Sequence, residues 1–590
     1  MSIALIAFLY AIGFGLVAGV LACIRSSSFS LAATLCSGGI TTILIFSFDW
    51  LFFFKALPPF LGSGHILIIV LNLVFVVVVC AIVDGISSTN YDTSIGAAWP
   101  LALVLLLIIG VVSIFKSQAP LTQSGADKLA SQIHVTTEKA TDYPNTDTNH
   151  IRIVSVESAQ SRAHSALGSA SASNLSTLYS VSDGVLQSVD DHLYYLFPLD
   201  FNSRRVANSQ HHIVPGYIVV DAEDPNTPAK LRTGYKMIYT AGDTFEHKLN
   251  RYVYDHGYRN SYLDDFTLEV DDQWNPFYTA SLNKPALGWT QAVPVAMIIV
   301  DPQTGTIKKY GTSSAPEWVD RVYSASVVKQ MMNWWGEWGA GKSKAPFSNT
   351  HETSANRYAV SGDPVLLYTK SGHPAWEMLL TSYNSDTAAS YVALFDARDN
   401  EVKLYKPEVG LSIESTVYHS FKSANANRKS YEPVDIALHS IYGQLTWVVS
   451  YISSSGNNVA FQGVGLLQAS DVNGANVVFS TTKADALDQY RSLLASGDQN
   501  AAPDAGGMTK SAQGTISRVV QITDNGNTYI EFVLTSDPAH LYRAKVSDNE
   551  PELPFAVAGA KIRVTYLDTG ASATRRDVSA YDDLGLELTK

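Results

Sequence analysis

The most specific match to a chemical motif lies at 336–343, where Gly-Glu-Trp-Gly-Ala-Gly-Lys-Ser fits the phosphate-binding pattern G-x-x-x-x-G-K-S. Such a loop cradles phosphates only where a strand precedes it and a helix follows it. Here residues 318–335 have a helical pattern, and Pro346 lies shortly after the run. Both flanks argue against a nucleotide site, so a nucleotide-binding enzyme that uses Lys342 is kept only as an alternative.

Tryptophans in and before this run provide a second kind of candidate site. Indole rings can stack on sugars or bases when they are exposed, or bury a large apolar area when a helix packs them on a sheet. Packing is the favoured interpretation for Trp318 and its neighbours. Some exposure is expected around Trp334, Trp335 and Trp338, which form a possible binding surface.

The remaining titratable residues do not predict catalysis or metal binding. His211-His212 has no Cys, Asp or Glu at ligand spacing, which favours surface histidines over a zinc site. The acidic pairs lack the alternating ligands of a calcium loop, so turns and solvation are expected for Asp190-Asp191, Asp264-Asp265, Asp271-Asp272 and Asp582-Asp583. No serine has the G-x-S-x-G context of a nucleophile. We therefore predict no catalytic residues, no metal and no cofactor, and a protein that is not an enzyme.

Charge and cysteine content narrow the possible partners. The net charge is −13 and only 16% of the residues are charged, so nucleic acid is not expected as a partner, because phosphates require clustered Lys and Arg. The three cysteines, Cys23, Cys36 and Cys80, all lie in apolar segments near the N-terminus. The rest of the chain therefore has no disulfide and no thiolate metal site.

Four apolar segments near the N-terminus, about 2–24, 31–54, 66–83 and 97–115, are long enough to cross a hydrocarbon core of ~30 Å. The first segment lacks the basic n-region of a signal peptide. The sequence therefore predicts an α-helical transmembrane domain over residues 1–116. It predicts a multi-pass protein of the cell membrane, with the lipid bilayer as one partner.

The side of the membrane is indicated by two opposing signals. The Lys/Arg distribution, with Lys55, Lys116 and Lys128 on one side, favours cytoplasmic termini. A region rich in Tyr, Asn, Ser and Thr and free of cysteine is typical of bacterial extracytoplasmic domains. We assign the soluble region to the extracytoplasmic side on that composition.

Asp49 lies in the second apolar segment and is a possible intramembrane polar site. An ionisable group within a membrane span is a functional candidate by default. Trp50 and Lys55 follow it, which favours a position in the interfacial belt near the helix end. A role for Asp49 in transport or ion handling is kept as an alternative.

Downstream of the apolar region, a strand-like phrase recurs four times, starting at Val189, Val270, Val360 and Ile441. A second phrase follows each one and ends in or near an acid, at 217–221, 297–301, 392–396 and, more faintly, 465–469. A recurring period of this kind signals duplicated structural units. Helical patterns accompany the phrases at 157–168, 245–256, from Pro316 onward, at 413–421 and at 484–494. Each unit is therefore predicted to be α+β, with one helix on an antiparallel sheet.

Residues in the first two units carry a resemblance to a known family. They are the opening Ile153-Val154 with Glu157, Ala159 and Ala163, the run 194–199, and the hairpin 299–305 that leads to Tyr310. This pattern resembles the PepSY fold, a cystatin-like module. The resemblance implies binding or inhibitory domains, often extracytoplasmic, that are not enzymes. It is weakest in the fourth unit, which lacks the acid at the expected place.

The C-terminal residues contain five strand candidates between 515 and 588, with an Asp-Asn-Gly-Asn turn at 524–527, and resemble an OB-type barrel. The predicted domains are a transmembrane domain (1–116), a linker (117–150), four PepSY-like units (151–225, 226–312, 313–410 and the degenerate 411–495), a second linker (496–513) and an OB-like β-domain (514–590).

These observations favour a non-enzymatic, membrane-anchored binding or scaffold protein. Its repeat array is expected to bind or inhibit another membrane or envelope protein. Two alternatives remain open, a transport component that uses Asp49 and a nucleotide-binding enzyme that uses residues 336–343.

Overall fold

The computed structural model describes residues 3–25, 31–57, 68–76, 122–169, 175–287, 292–340, 357–369, 372–382, 388–407, 410–425, 428, 430–456, 458–471, 476–497, 508–524, 527–549, 551–568 and 575–586. Its helices are α1 (Ile3–Arg25), α2 (Leu31–Ala56), α3 (68–76), α4 (Gln123–Ala130), α5 (Val156–Ser169), α6 (Leu175–Leu178), α7 (Arg204–Ser209), α8 (Leu249–Val253), α9 (Ala325–Trp334), α10 (Glu414–Ala424) and α11 (Lys483–Gly497). More of the described residues lie in strands than in helices.

The strands form four sheets and a small closed barrel. Sheet 1 contains β2 (Tyr179–Val181), β3 (Val185–Val189), β4 (His192–Phe201), β5 (Val214–Asp221) and β6 (Lys230–Met237). Sheet 2 contains β7 (Tyr262–Val270), β8 (Pro276–Pro285), β9 (Ala292–Val300) and β10 (Ile307–Tyr310). Within each of these sheets, neighbouring strands are antiparallel, so short hairpins can connect them.

Sheet 3 contains β1 (His134–Lys139), β11 (Tyr358–Tyr368), β12 (Pro374–Ser382), β13 (Ala388–Asp396), β14 (Glu401–Lys406) and β15 (Leu411–Ser412). Sheet 4 contains β16 (Glu432–Ile441), β17 (Gln444–Ser455), β18 (Asn458–Gln468) and β19 (Val478–Ser480). The barrel contains β20 (Met508–Asp524), β21 (Asn527–Leu534), β22 (Asp537–Lys545), β23 (Lys561–Asp568) and β24 (Arg575–Asp583). Strand β1 comes from the predicted linker 117–150 and pairs in parallel with β14.

The four sheets pack on one another in a closed ring. Side chains alternate between the two faces of a strand, so each strand can serve two cores. In β5, Tyr217 and Val219 enter a core shared with sheet 2, whereas Ile218 and Val220 enter a core shared with sheet 4. The other two cores lie between sheets 2 and 3 and between sheets 3 and 4. Sheet 4 therefore returns to sheet 1 and closes the ring.

The two halves of the ring repeat the same backbone contacts. The N–H groups of residues 153–154, just before α5, both donate to the carbonyl of Ala222 at 3.0 Å. Those of residues 322–323, just before α9, both donate to the carbonyl of Ala397 at 2.9 and 3.0 Å. Units 1 and 2 thus correspond to units 3 and 4, and the segment before each helix crosses from one sheet to the next.

Serine side chains hold these two crossing segments in the same way. The hydroxyl of Ser450 in β17 donates to the carbonyl of Ile153, and the hydroxyl of Ser281 in β8 donates to the carbonyl of Val322. In both halves a buried carbonyl that lies outside regular secondary structure gains a partner, which avoids the cost of leaving it unpaired.

The predicted transmembrane domain is wrong. In the part of the chain that the structure describes, no helix combines the length and the apolarity needed to cross a membrane. Segments 2–24 and 31–54 correspond to α1 and α2, segment 66–83 is described only over α3, and 97–115 lies outside the described residues. The predicted fold class, the multi-pass cell-membrane localisation and the extracytoplasmic placement that depended on it are corrected accordingly.

The physical reason is that an apolar run alone does not determine whether a helix spans a membrane. Helices α1 and α2 pack along each other through one side of each, with Ala11, Ala18 and Ile45 buried together with Val76 of α3, whereas Leu16 and Ile43 are exposed. At Gly15 an added Cβ would overlap the Thr42 hydroxyl, so the two helices approach closely there. Small residues at such a contact favour helix–helix packing.

Three of the four first phrases and all four second phrases fall at equivalent places in the sheets. The phrases that begin at Val189, Val270 and Ile441 lie at the hairpins β3–β4, β7–β8 and β16–β17. The one at Val360 instead lies inside β11, where the strand pairing shifts between Ser361 and Val365. The second phrases lie at or near the ends of β5, β9, β13 and β18.

The third predicted helix starts too early. Residues 318–323 are not helical, and α9 begins only at Ala325. Val319 and Val322 are buried because this crossing segment lies in the core shared by sheets 2 and 3. Their apolar spacing therefore arose from burial of an irregular segment and not from a helix face.

Glu377 is a buried carboxyl at the contact between sheets 3 and 4. It is 4% exposed, and its Oε2 accepts a hydrogen bond from the N–H of Leu438 at 3.1 Å. Burial raises the pKa of Glu377 to about 8, and the nearby Glu414 acts in the same direction. The group therefore keeps its proton in the folded protein at neutral pH, which lets it sit in an apolar core.

We predict that the free energy of unfolding falls as the pH rises from about 4.5 to about 8, and that Glu377→Gln reduces this fall. In this range the unfolded chain has released the proton and the folded protein still holds it, so a higher pH favours unfolding. The slope from one such group approaches about 1.4 kcal/mol per pH unit. Urea unfolding at pH 5.5, 6.5 and 7.5 measures it.

The matched control for this experiment is Glu401→Gln, because Glu401 is exposed on β14. This variant should keep the pH slope of the wild-type protein. Equal slopes for Glu377→Gln and wild type would contradict the assignment of the proton to Glu377.

Candidate functional site

The predicted aromatic surface lies largely inside the protein. Trp334 and Trp338 are 6% and 7% exposed and belong to the core between sheets 2 and 3. Trp335 is partly buried, and its ring stacks on that of Tyr358 at 6.5 Å between centroids. In this position the indoles contribute packing area.

The glycine-rich run has no strand before it. Residues 335–340 form a π-helical turn that continues α9, and Gly336 approaches the backbone of Tyr358 so closely that a Cβ would overlap its carbonyl oxygen. Lys342 lies outside the described residues. The geometry before the run therefore differs from a strand–loop–helix phosphate site.

Asp49 is fully buried between α2 and α3. Its Oδ2 accepts a hydrogen bond from the side-chain amide of Asn72 at 2.8 Å. Burial raises the pKa of Asp49 to about 6, while the bond from Asn72 acts against this rise. The contact is a polar link between two packed helices.

A cluster of His150, His192 and Glu223 is the strongest candidate site. One potential ligand atom of each residue lies within 4.8 Å of the others. His150 ends the 3₁₀ turn Thr148–His150, His192 is the first residue of β4, and Glu223 follows β5. We call these three residues the HHE site.

Local backbone geometry positions each residue of the HHE site. Asp190 and Asp191 adopt positive φ angles of 53° and 60°, which make the tight β3–β4 turn and present His192 at its end. The Asp147 side chain accepts a hydrogen bond from the N–H of Asn149 at 2.9 Å and fixes the turn that carries His150. These two turns therefore determine where the two imidazoles lie.

The distances in the HHE site suit a metal ion. Nδ1 of His150 lies 3.2 Å from Oε1 of Glu223, and Nδ1 of His192 lies 3.1 Å from Oε2. Bonds of about 2.1 Å to a tetrahedral Zn²⁺ place neighbouring ligand atoms about 3.4 Å apart. The two imidazole rings are nearly perpendicular, at 88°, with 6.4 Å between centroids.

Asp221 orients His192. Its Oδ2 lies 3.0 Å from Nε2 of His192, on the far side of the ring from Nδ1. A proton on Nε2 that is donated to this carboxylate leaves the lone pair of Nδ1 free to bind a metal. Oδ1 of Asp221 is held by the N–H groups of Glu223 and Asp224, both at 2.9 Å.

The surroundings of the HHE site are acidic. The side chains of Glu223 and Asp221 are 5% and 8% exposed, so their negative charges are poorly solvated. Lys483, at the start of α11, faces these carboxylates and donates to the carbonyl of Asn149 at 2.6 Å. Burial lowers the pKa of Lys483, and the carboxylates oppose this change. A divalent cation would offset the excess negative charge.

A second cluster, His212, Asp243 and His247, has less suitable geometry. Nδ1 of His212 lies 2.9 and 3.0 Å from the two oxygens of Asp243. The rings of His212 and His247 stack at 4.1 Å with an angle of only 15°. Lone pairs lie in the ring planes, so two stacked rings do not direct them at one metal. We therefore favour the HHE site.

Sequence reasoning missed the HHE site for a physical reason. Its residues lie far apart in the chain and have no ligand spacing. The expectation of surface histidines at 211–212 also did not include Asp243, which only the fold brings to His212. One sequence feature could have indicated the site. Asp221 ends the second phrase of the first unit, and Glu223 follows it two residues later.

Comparisons with known proteins do not identify the chain. No family model and no curated protein matches it. Among solved structures, it has a likeness to one titled "Crystal structure of polysaccharide lyase Uly1", with 10% identity, 68% of this chain and 76% of that chain covered, and a TM-score of 0.15. A score this low supports no conclusion about fold or function.

Trp338→Ala is predicted to destabilise the protein. Removing a buried tryptophan from the core between sheets 2 and 3 should cost about 3–5 kcal/mol of unfolding free energy. Trp335→Ala, at a partly buried position, should cost clearly less. Urea unfolding of both variants measures the difference, and a Trp338→Ala protein as stable as wild type would show that this indole is not a packing residue.

Proposed function

We propose that this chain is a non-enzymatic, metal-binding scaffold protein that holds one Zn²⁺ at the HHE site. The observation that carries the proposal is the convergence of two imidazole Nδ1 atoms on the two oxygens of Glu223, at 3.1 and 3.2 Å. Two nitrogens and a carboxylate suit Zn²⁺ and disfavour Ca²⁺, which prefers oxygen ligands.

The arrangement around His192 is compatible with a metal on Nδ1. Both ring nitrogens of His192 face carboxylates, Asp221 at 3.0 Å and Glu223 at 3.1 Å. With Zn²⁺ on Nδ1, the proton on Nε2 is donated to Asp221, so each ring nitrogen of His192 has a partner.

The scaffold part of the proposal is supported by the ring of sheets. Four sheets that share cores on both faces form a stiff frame, and the barrel is attached to it through α11. Ser492 of α11 donates to Asp577 of β24 at 3.0 Å. We infer that the frame positions the barrel and binds another protein, and that Zn²⁺ stabilises it.

Zinc titration of the purified chain tests the proposal. Calorimetry should detect one equivalent of bound Zn²⁺ and no Ca²⁺, and Zn²⁺ should raise the melting temperature because it binds the folded state. Acidification should weaken binding, since protons compete with the metal for the imidazole nitrogens. His192→Ala should abolish the binding.

His247→Ala is the matched control, because it removes a histidine from the cluster with stacked rings. This variant should bind Zn²⁺ as the wild type does. Loss of binding in His247→Ala with retention in His192→Ala would move the metal to the other cluster. Absence of binding in the wild type would overturn the proposal.

Asp221→Asn tests the orienting role of Asp221. The amide oxygen can still accept the N–H groups of Glu223 and Asp224, so the turn should persist. The amide nitrogen then faces Nε2 of His192 and donates to it, which moves the ring proton to Nδ1, the metal-binding atom. Zinc affinity should fall about 10–100-fold with little change in stability of the metal-free protein. Unchanged affinity would argue against this role.

A further inference from the structure

The second half of the ring has a counterpart of the HHE site in which an arginine replaces the acid. The N–H of Ala222 donates to the carbonyl of Leu193, and the N–H of Ala397 donates to that of Pro374, both at 3.0 Å. By this correspondence His192 matches His373, and Glu223 matches Arg398. The histidine is shared between the halves, but the acid is replaced by a base.

Arg398 ties the crossing segment of its half to the end of β13. Its guanidinium donates to the carbonyls of Glu317, Ala315 and Pro316 at 2.8, 2.9 and 3.1 Å. These residues precede α9 in the segment that passes from sheet 2 to sheet 3. A guanidinium carries several N–H donors in one plane, so this one cation can bind three backbone carbonyls.

In the first half the corresponding position, Glu223, cannot donate to backbone carbonyls. Its oxygens are acceptors, and Oε1 already accepts the N–H of Leu193 at 2.9 Å. The crossing segment of this half instead carries His150, which faces the Glu223 carboxylate. A cation between these two side chains would join the same two elements that Arg398 joins in the second half.

We infer that Zn²⁺ at the HHE site acts as a latch on the crossing segment 143–153, which passes from sheet 4 to sheet 1. The inference rests on the proposed metal binding and adds a regulatory consequence to it. Occupancy of the site determines how firmly the crossing segment 143–153 is held, and availability of Zn²⁺ therefore controls the rigidity of this connection.

The contacts of segment 143–153 show what the latch secures. At one end, the N–H of Thr146 donates to the carbonyl of Ser440 at 2.9 Å, and the Ser440 hydroxyl donates to the Asn145 side chain at 2.8 Å. At the other end, residues 153–154 bond to Ala222 of sheet 1. His150 lies between these ends, so fixing its ring restrains the whole connection.

Lys483 extends the latch to α11 and the barrel. It donates to the carbonyl of Asn149, the residue before His150, and α11 in turn contacts β24. A fixed His150 turn therefore also fixes the start of α11. In the part of the second half that the structure describes, no lysine bonds the corresponding carbonyl, that of Trp318, which instead accepts from the Gln187 amide.

Hydrogen–deuterium exchange on the full-length chain, with EDTA or with saturating ZnCl₂, tests the latch. Zn²⁺ should slow exchange in peptides that cover 143–153 and the start of α11 by about tenfold or more. Peptides that cover 312–324, the crossing segment held by Arg398, should not respond and serve as an internal control. Zinc binding is measured on the same sample by calorimetry.

Glu223→Arg supplies the cation covalently and is the decisive variant. Its guanidinium should take the role of Arg398, so 143–153 should be protected in EDTA and should no longer respond to Zn²⁺. Glu223→Gln, which lacks both the charge and the metal ligand, should leave the segment unprotected in both conditions. If the Glu223→Arg protein does not fold, exchange of the wild-type protein in EDTA and in ZnCl₂ tests the latch by itself.

The outcomes separate the latch from the metal site itself. Zinc binding by calorimetry with unchanged exchange at 143–153 would overturn the latch and leave the metal-binding proposal intact. Absence of zinc binding would overturn both. Slower exchange at 143–153 and 312–324 alike would indicate a general effect of Zn²⁺ on stability and would also contradict the latch.

Discussion

The packing of each sheet on two neighbours is the constraint on which the rest of the structure depends. A strand that is buried on both faces must be apolar at successive positions, as in residues 217–220 and 297–300, and has no polar face to show the solvent. The ring also requires segments that cross between sheets without regular hydrogen bonding. These segments find their hydrogen-bond partners in the hydroxyls of Ser281 and Ser450 and in the carbonyls of Ala222 and Ala397. These buried polar groups therefore hold the segments that connect the sheets of the ring.

The two crossing segments of the duplicated ring make the same backbone contacts but differ in the side chains around them. Arg321 and Arg152 occupy equivalent positions before α9 and α5. Burial acts against the charge of Arg321, yet its pKa is raised because Asp265 and Glu269 stabilise the cation. Asp435 does the same for Arg152. Next to these arginines the halves differ, because one uses Arg398 and the other presents the HHE site.

The sequence predicts those parts of the fold that follow from local patterns. The helices α10 and α11 and the strands that end at Asp221 and Asp396 lie where apolar periodicity and strand-ending acids indicate. The start of α9 could not be predicted, because Val319 and Val322 are buried for a tertiary reason. The same holds for β1, whose polar residues 134–139 join sheet 3 by pairing with β14. The transmembrane prediction was wrong because apolarity alone does not distinguish packed helices from spanning ones.

Closure of the ring has a consequence for synthesis of the protein. The face of sheet 1 formed by Ile218 and Val220 is covered by α5 and by Val448 and Leu466 of sheet 4, and the two residues of sheet 4 leave the ribosome much later. At about 5–20 residues per second, that face waits on the order of ten seconds or more for its partner. During this time the part of that face which sheet 4 covers lacks its partner. We therefore expect the rate of translation between the two sheets, and chaperones that cover this face, to determine how much chain reaches the closed ring.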